Sequence, residues 1–215
     1  MSLTNKFKLS SIALASAMAL GAMTAPTLAS AEVSYNAAVH SMNIFRGTNG
    51  GSGAISGGAD YKHDSGAYAG LWTINTNAQY EIDLYAGFAG EVGGVGYDIS
   101  YWDIDVPEGL AKTTKELALG LSYADFSLGF VDGKYGNAET KFTYVTAGYS
   151  YDKFSFLYGI NDEKDANTAD YSHMNLSYAA TDAVSFTVSK LTRATGNTAT
   201  NEEMLFAVSY SLPIK

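Results

Sequence analysis

Between residues 33 and 212 apolar side chains return on every second position, and this rhythm limits the fold more than any other feature of the chain. A period of two places successive side chains on opposite faces of an extended strand, whereas an amphipathic helix repeats every three to four positions. The clearest case is 79–89, where Tyr80, Ile82, Leu84, Ala86 and Phe88 oppose Glu81, Asp83, Tyr85 and Gly87. In 114–123, Leu117, Leu119, Leu121 and Tyr123 oppose Glu116, Ala118, Gly120 and Ser122. The same rhythm marks 33–46, 54–63, 95–104, 126–131, 154–160, 171–179, 184–191 and 204–212. Segment 67–75 is apolar on both faces, so its inward side is ambiguous, and 141–151 is mixed. The pattern thus predicts twelve strands, most of them near the about 9–11 residues with which a tilted strand crosses a bilayer.

Alternation alone also suits a soluble sandwich, so the connections decide. Those at 64–66, 90–94, 124–125, 152–153 and 180–183 are short. Those between them, at 47–53, 76–78, 105–113, 132–140, 161–170 and 192–203, are mostly long and polar, with 76–78 the exception. Tight periplasmic turns alternating with longer outer loops characterise outer-membrane barrels, and a sandwich has no reason to sort its loops in this way. Tyr61, Tyr97, Tyr123, Tyr151 and Tyr178 all lie within a few residues of a short connection. An interfacial aromatic belt places them there, although β-propensity also enriches tyrosine. Lipid excludes open sheet edges, because backbone groups there have no partner. The prediction is an all-β, transmembrane, up-and-down antiparallel barrel of twelve strands, with ten and fourteen the neighbouring even counts.

Residues 1–31 read as an address rather than as fold. Lys6 and Lys8 precede an apolar run from Ile12 to Met23, and Ala29-Ser30-Ala31 precedes Glu32. A basic start, a short apolar stretch and small residues at a cleavage position form a secretory signal peptide. The barrel is then 32–215, with 11 cationic against 22 acidic side chains, a formal charge of −11. That excess argues against nucleic acid as a partner, since phosphate contacts need Lys and Arg. The chain has no cysteine, which removes disulfides, thiolate metal sites and a cysteine nucleophile.

If the apolar parity meets lipid, the other parity lines the interior. The candidate pore-lining residues are Arg46, Asp60, Lys62, Glu81, Asp83, Asp98, Glu116, Lys141 and His173. Two readings stand. Arg46 and Lys62 could pair with Glu81, Asp83 and Asp60, tying adjacent strands and filling the lumen. Alternatively the carboxylates line a wet path that favours cations, as acidic rings do in channels. Barrels of about eight strands fill themselves and those of about sixteen leave a channel, so twelve falls between.

Other chemistries find little support. Of His40, His63 and His173, the first and last share the polar parity of their strands, yet no Gly-x-Ser-x-Gly elbow is present. Asp162, Glu163, Asp165 and Asp170 share one loop without the ordered spacing of an EF-hand. The glycines at 47–58 are followed by no helix, so a phosphate cradle lacks its context. No enzyme activity, cofactor or metal is expected.

Several segments resemble the TorF family of proteobacterial outer-membrane porin-like proteins. They are Asn43-Ile44-Phe45-Arg46-Gly47, Gly57-Gly58-Ala59-Asp60-Tyr61, the stretch from Ser65 to Trp72, that from Glu81 to Phe88, and Gly96-Tyr97-Asp98. The match is dense over 33–101 and general, strand by strand, beyond it. The resemblance implies a barrel in the outer-membrane lipid of a Gram-negative bacterium, inserted by the outer-membrane assembly machinery. It further implies a role in transport inferred from architecture. One departure is the C-terminus, Leu212-Pro213-Ile214-Lys215, which lacks a terminal aromatic; Tyr210 is the nearest. The expected function is a channel for passive diffusion of small solutes or ions, leaning to cations or neutral solutes. The alternatives are an occluded structural or adhesion barrel, or a lipid-modifying enzyme.

Overall fold

The computed structural model describes residues 32–75, 80–107, 113–136, 140–164, 170–195 and 203–214. The expected leader, 1–31, lies outside the described residues, as does the middle of most of the long connections. Twelve strands follow one another: β1 (Glu32–Phe45), β2 (Thr48–Lys62), β3 (Ala67–Asn75), β4 (Tyr80–Val92), β5 (Val95–Asp105), β6 (Thr114–Tyr123), β7 (Phe126–Tyr135), β8 (Lys141–Tyr151), β9 (Phe154–Glu163), β10 (Tyr171–Ala179), β11 (Val184–Ala194) and β12 (Leu205–Ser211). Each pairs antiparallel with its sequence neighbours, and β1 pairs with β12 through Ala38 and Ser211, closing the ring. An even strand number brings the start of β1 and the end of β12 to the same rim as the short turns.

Polarity is reversed relative to a water-soluble protein. Along β6, Leu117, Leu119 and Leu121 are exposed, whereas Thr114, Glu116, Ala118 and Gly120 are buried. Leu84, Ile99, Phe130, Val145, Phe156, Leu176 and Phe206 continue the exposed apolar surface around the ring. Asp83, Asp98, Thr146, Asn161 and Asn175 are buried inside it. Soluble monomers rarely expose an apolar patch beyond about 300–600 Å², so an apolar coat around a whole barrel calls for hydrocarbon. Tyr61, Tyr123, Tyr151 and Tyr178 are exposed near the turns, and Phe126 and Phe154 lie with Tyr149 and Tyr178 at 4.9 Å between ring centroids. The aromatic belt therefore sits on the outward register at the turn rim.

β7, β9 and β11 run on to Tyr135, Glu163 and Ala194, past their expected ends, and β3 and β2 carry the differences that bear on the site. β3 turns Ala67, Ala69 and Leu71 outward and Tyr68, Gly70, Trp72 and Ile74 inward, because Gly70 pairs with Tyr85 and Tyr68 with Gly87. A Cβ on Gly70 or Gly87 would run into the hydroxyl end of those rings, so each tyrosine occupies the space above the facing glycine. β2 begins at Thr48 rather than at residue 54, so all but Gly47 of the polar loop expected at 47–53 is strand. The cause is a bend built from glycine, described next.

Candidate functional site

β1 and β2 are joined by only Arg46 and Gly47, at φ values of 46° and 83°. Two-residue hairpins favour positive φ at both positions, since that twist matches the strands. Glycine adopts it freely, while for an L-residue such as arginine it costs about 1–2 kcal/mol. Behind the turn, Asn43 pairs with Gly51 and Ile44 with Asn49, leaving Gly50 as one extra residue on β2. A bulge of this kind bends and twists its strand. Gly51 and Gly53, at φ 145° and 69°, supply backbone that other residues reach only with strain. The bend carries the hairpin tip into the ring: Asn43, Ile44, Arg46 and Gly47 are all buried.

Once inside, the tip touches the far wall. Arg46 Nη2 donates to both carboxylate oxygens of Glu116 on β6, at 2.8 and 2.7 Å. The two residues are 4% and 1% exposed. β6 lies five strands from β1 by the shorter way around, so the ion pair ties nearly opposite walls. The Arg46 guanidinium also lies 4.9 Å from the Phe45 ring centre, 5.0 Å from Phe142 and 4.8 Å from Tyr144. Each such contact contributes about 0.5–2 kcal/mol, more as water is excluded. Ile44 packs on Leu205 and Ala207 of β12.

Gly47 leaves no room above the His173 ring, where a Cβ would overlap its Cβ and Cγ. His173 in turn hydrogen-bonds Tyr144 Oη at 2.9 Å and Asn175 Oδ1 at 3.0 Å. Gly47→Ala combines positive φ with this overlap and is expected to destabilise the folded barrel by about 2 kcal/mol or more. Urea unfolding of vesicle-inserted protein measures it; an unchanged midpoint would mean that the tip does not rest on His173.

The remaining expected residues fall into two tiers. Glu81 and Asp83 on β4 join Glu116 at the hairpin's end of the lumen, where their charges act on one another and on Arg46. Nearer the turns, Asp60 accepts hydrogen bonds from Asn36 Nδ2 at 3.2 Å and from the Tyr85 hydroxyl. Asp98 accepts one from Tyr68 Oη at 2.7 Å. Between the tiers Tyr85 stacks on Trp102 at 4.2 Å. All five carboxylates lie on the β2–β6 wall. On the opposing wall Thr146, Asn175, Thr187, Ser189 and Ser209 face inward, and Glu163, held by Tyr135 Oη at 3.3 Å, is the acid there among the described residues.

Of the expected cations, Lys141 stands elsewhere than expected, and Lys62 keeps its inward position without the expected ion pair. Lys141 pairs with Lys134 on the outward register, because Phe142 and Tyr144 take the inward side of β8. Its charge lies at the loop rim, where a side chain can leave the hydrocarbon. Lys62 holds an inward register position at the exposed turn rim and makes no ion pair with Asp60 among the described residues. Neither Lys62 nor Arg46 therefore ties adjacent strands; Arg46 reaches across the lumen instead.

The profile of a family described as "Bacterial protein of unknown function (Gcw_chp)" matches residues 24–210. The chain belongs to the Gcw_chp family. No curated protein matches the sequence. Among solved structures, the Gcw_chp barrel is similar to the KdgM porin, with a TM-score of 0.57 at 8% identity over 85% of this chain and 100% of that one. It is similar to the KdgM porin in complex with disordered oligogalacturonate, at 0.55 and 8% over 86% and 100%. A chain from work on in-meso crystallization of membrane proteins gives 0.59 and 10% over 83% of each. Identities this low show a shared porin-like fold, and they place the family resemblance read in the sequence at that level rather than under the TorF name.

In this Gcw_chp barrel His40 and His173 are buried and held by hydrogen bonds, while His63 is exposed in a turn. His40 lies between Ser209 Oγ and Ser56 Oγ, each at 2.9 Å, and His63 bonds Ser65 Oγ at 2.9 Å in a turn. A Ser–His contact thus exists, but among the described residues no carboxylate orients the His40 ring as a catalytic triad requires.

Proposed function

We propose that this chain is an outer-membrane channel for passive diffusion of small solutes or ions, leaning to cations and neutral solutes. The observation that carries the reading is the interior: carboxylates Asp60, Glu81, Asp83, Asp98 and Glu116 on one wall, opposed by hydroxyls and amides. Arg46 is the cation among them and Glu116 neutralises it. A closed ring of hydrogen-bonded strands with this lining offers water and cations a path that hydrocarbon denies. The resemblance of 33–101 to TorF proteins and the porin-like neighbours support the same reading. Oligogalacturonate, which the KdgM porin is recorded with, is a polyanion, and a lumen lined with carboxylates opposes it. Lys62, at the turn rim, is a secondary lining group, whereas His173, fully buried beneath the hairpin, supports the tip rather than the path. No catalytic step is assigned.

The buried hairpin favours a second reading, a barrel closed by its own β1–β2 tip that serves structure or adhesion. Planar-bilayer recording of the refolded chain separates the two. The channel reading expects unitary steps and a reversal potential displaced toward cations in a KCl gradient. Asp60→Asn with Asp98→Asn should bring that displacement toward zero. Folded protein that gives no steps, yet conducts once Arg46 and Glu116 are both alanine, is a self-closed barrel. Anion preference in the wild type would refute the acidic-lining argument outright.

A further inference from the structure

The lumen already displays one bound guanidinium, that of Arg46. It sits in a box made by the Glu116 carboxylate and the Phe45, Phe142 and Tyr144 rings. Beside it, neither Glu81 nor Asp83 forms an ion pair among the described residues, and the nearby Arg46 is taken by Glu116. Asp83 is only 3% exposed, and its Oδ1 is buried without a hydrogen-bond partner. A buried carboxylate oxygen left unpaired costs free energy until something donates to it. Asp83 occupies an inward register position, opposite Trp72 on one side and Ile104 on the other. Two residues further along β4, Tyr85 stacks on Trp102, adding aromatic surface of the kind that attracts organic cations. A bare metal ion suits the tier poorly, since no group of three or more ligating side chains that could hold one occurs among the described residues.

We infer that Glu81 and Asp83 form a seat for the guanidinium or ammonium head of a small organic cation, adjoining the box that Arg46 fills. The inference rests on the channel reading for how such a solute arrives, not for whether it binds. It gives the lumen a solute class: compact cations with planar or multidentate N–H donors. These exchange along Asp83, Glu81 and Glu116 and compete there with Arg46.

The test uses the full barrel refolded in detergent micelles, with folding checked by heat-modifiable gel mobility. Methylguanidinium chloride is titrated by calorimetry against methylurea, its neutral isostere, and calcium chloride. Methylguanidinium is expected to bind and methylurea not to. Asp83→Asn should weaken binding tenfold or more, while Asp103→Asn, which removes an outward-facing acid, leaves it unchanged. Should Asp83→Asn fail to fold, Glu81→Gln is expected to show the same weakening and decides in its place. Absent binding, undiminished affinity in the folded variant, or preferential binding of calcium each overturns the seat. Bilayer recording keeps the two claims apart. A barrel that conducts K⁺ without binding methylguanidinium retains the channel and loses the seat. One that binds but never conducts retains the seat and loses the channel.

Discussion

Replacing Arg46 with alanine is expected to lower the stability of the barrel by about 3–5 kcal/mol and to raise its unitary conductance. Both effects have one cause. Glu116 is 1% exposed, and without Arg46 its carboxylate stays buried beside Glu81 and Asp83, which add repulsion. The same substitution releases the hairpin tip from β6 and from the Phe142 and Tyr144 rings, so the lumen widens where the tip crossed it. Glu116→Gln keeps an acceptor for Arg46 and is expected to cost less. Arg46→Met with Glu116→Leu removes both charges and should recover most of the lost stability, since well-packed apolar replacements of buried pairs are often neutral. That double variant should still conduct more than wild type. Urea unfolding in vesicles and bilayer recording measure the two quantities separately. If Arg46→Ala lowers stability but leaves conductance unchanged, the ion pair is structural and the narrowest point lies elsewhere.

The sequence exposes the parts of this fold that two different solvents dictate. β4 and β6 read correctly at every position because one face meets hydrocarbon and the other meets Glu81, Asp83 or Glu116, so polarity alternates without ambiguity. β3 is opaque for a physical reason. Its inward Tyr68 and Trp72 are as apolar as its outward Leu71, because inward rings here cover glycines and hold carboxylates rather than meet open water. Lys141 is misplaced by the same ambiguity: β8 carries Phe142 and Tyr144 inside and Val145 and Ala147 outside, so charge alone was left to choose the face.

The hairpin tip is the part that local reasoning misses. A run rich in glycine after Phe45 reads as a loop, yet its glycines serve a bulge and a reversal within paired strands. The available signal is Arg46-Gly47 itself, a two-residue connection ending in glycine. Arginine rarely takes positive φ, however, and what holds it there is a carboxylate 70 residues onward. Asp60, Asp83, Asp98 and Glu116 can each be assigned inward from their own strand. That they gather in two tiers on one wall follows only from the register, which brings Trp102 opposite Tyr85 and Glu116 opposite Trp102.

An arginine scan along the outward face of β6 tests the ground on which the lumen argument stands. Leu117, Leu119 and Leu121 are 51%, 43% and 42% exposed, and Tyr123 at the turn rim is 63% exposed. Area alone therefore predicts similar penalties along the row, with no maximum at its middle. A hydrocarbon slab predicts a peak, because a charge at the midplane has no water within reach while one at the rim snorkels to the interface. Leu119→Arg, near the centre of the strand, should cost about 2–4 kcal/mol, whereas Tyr123→Arg should cost no more than about 1 kcal/mol. Leu117→Arg and Leu121→Arg should fall between. Urea unfolding of each variant in vesicles gives the profile, and unfolding of the same set in detergent checks that the peak belongs to the bilayer. A flat profile in vesicles would mean that water or another protein surface covers this face. The inward carboxylates would then line the core of a soluble barrel rather than a path through a membrane.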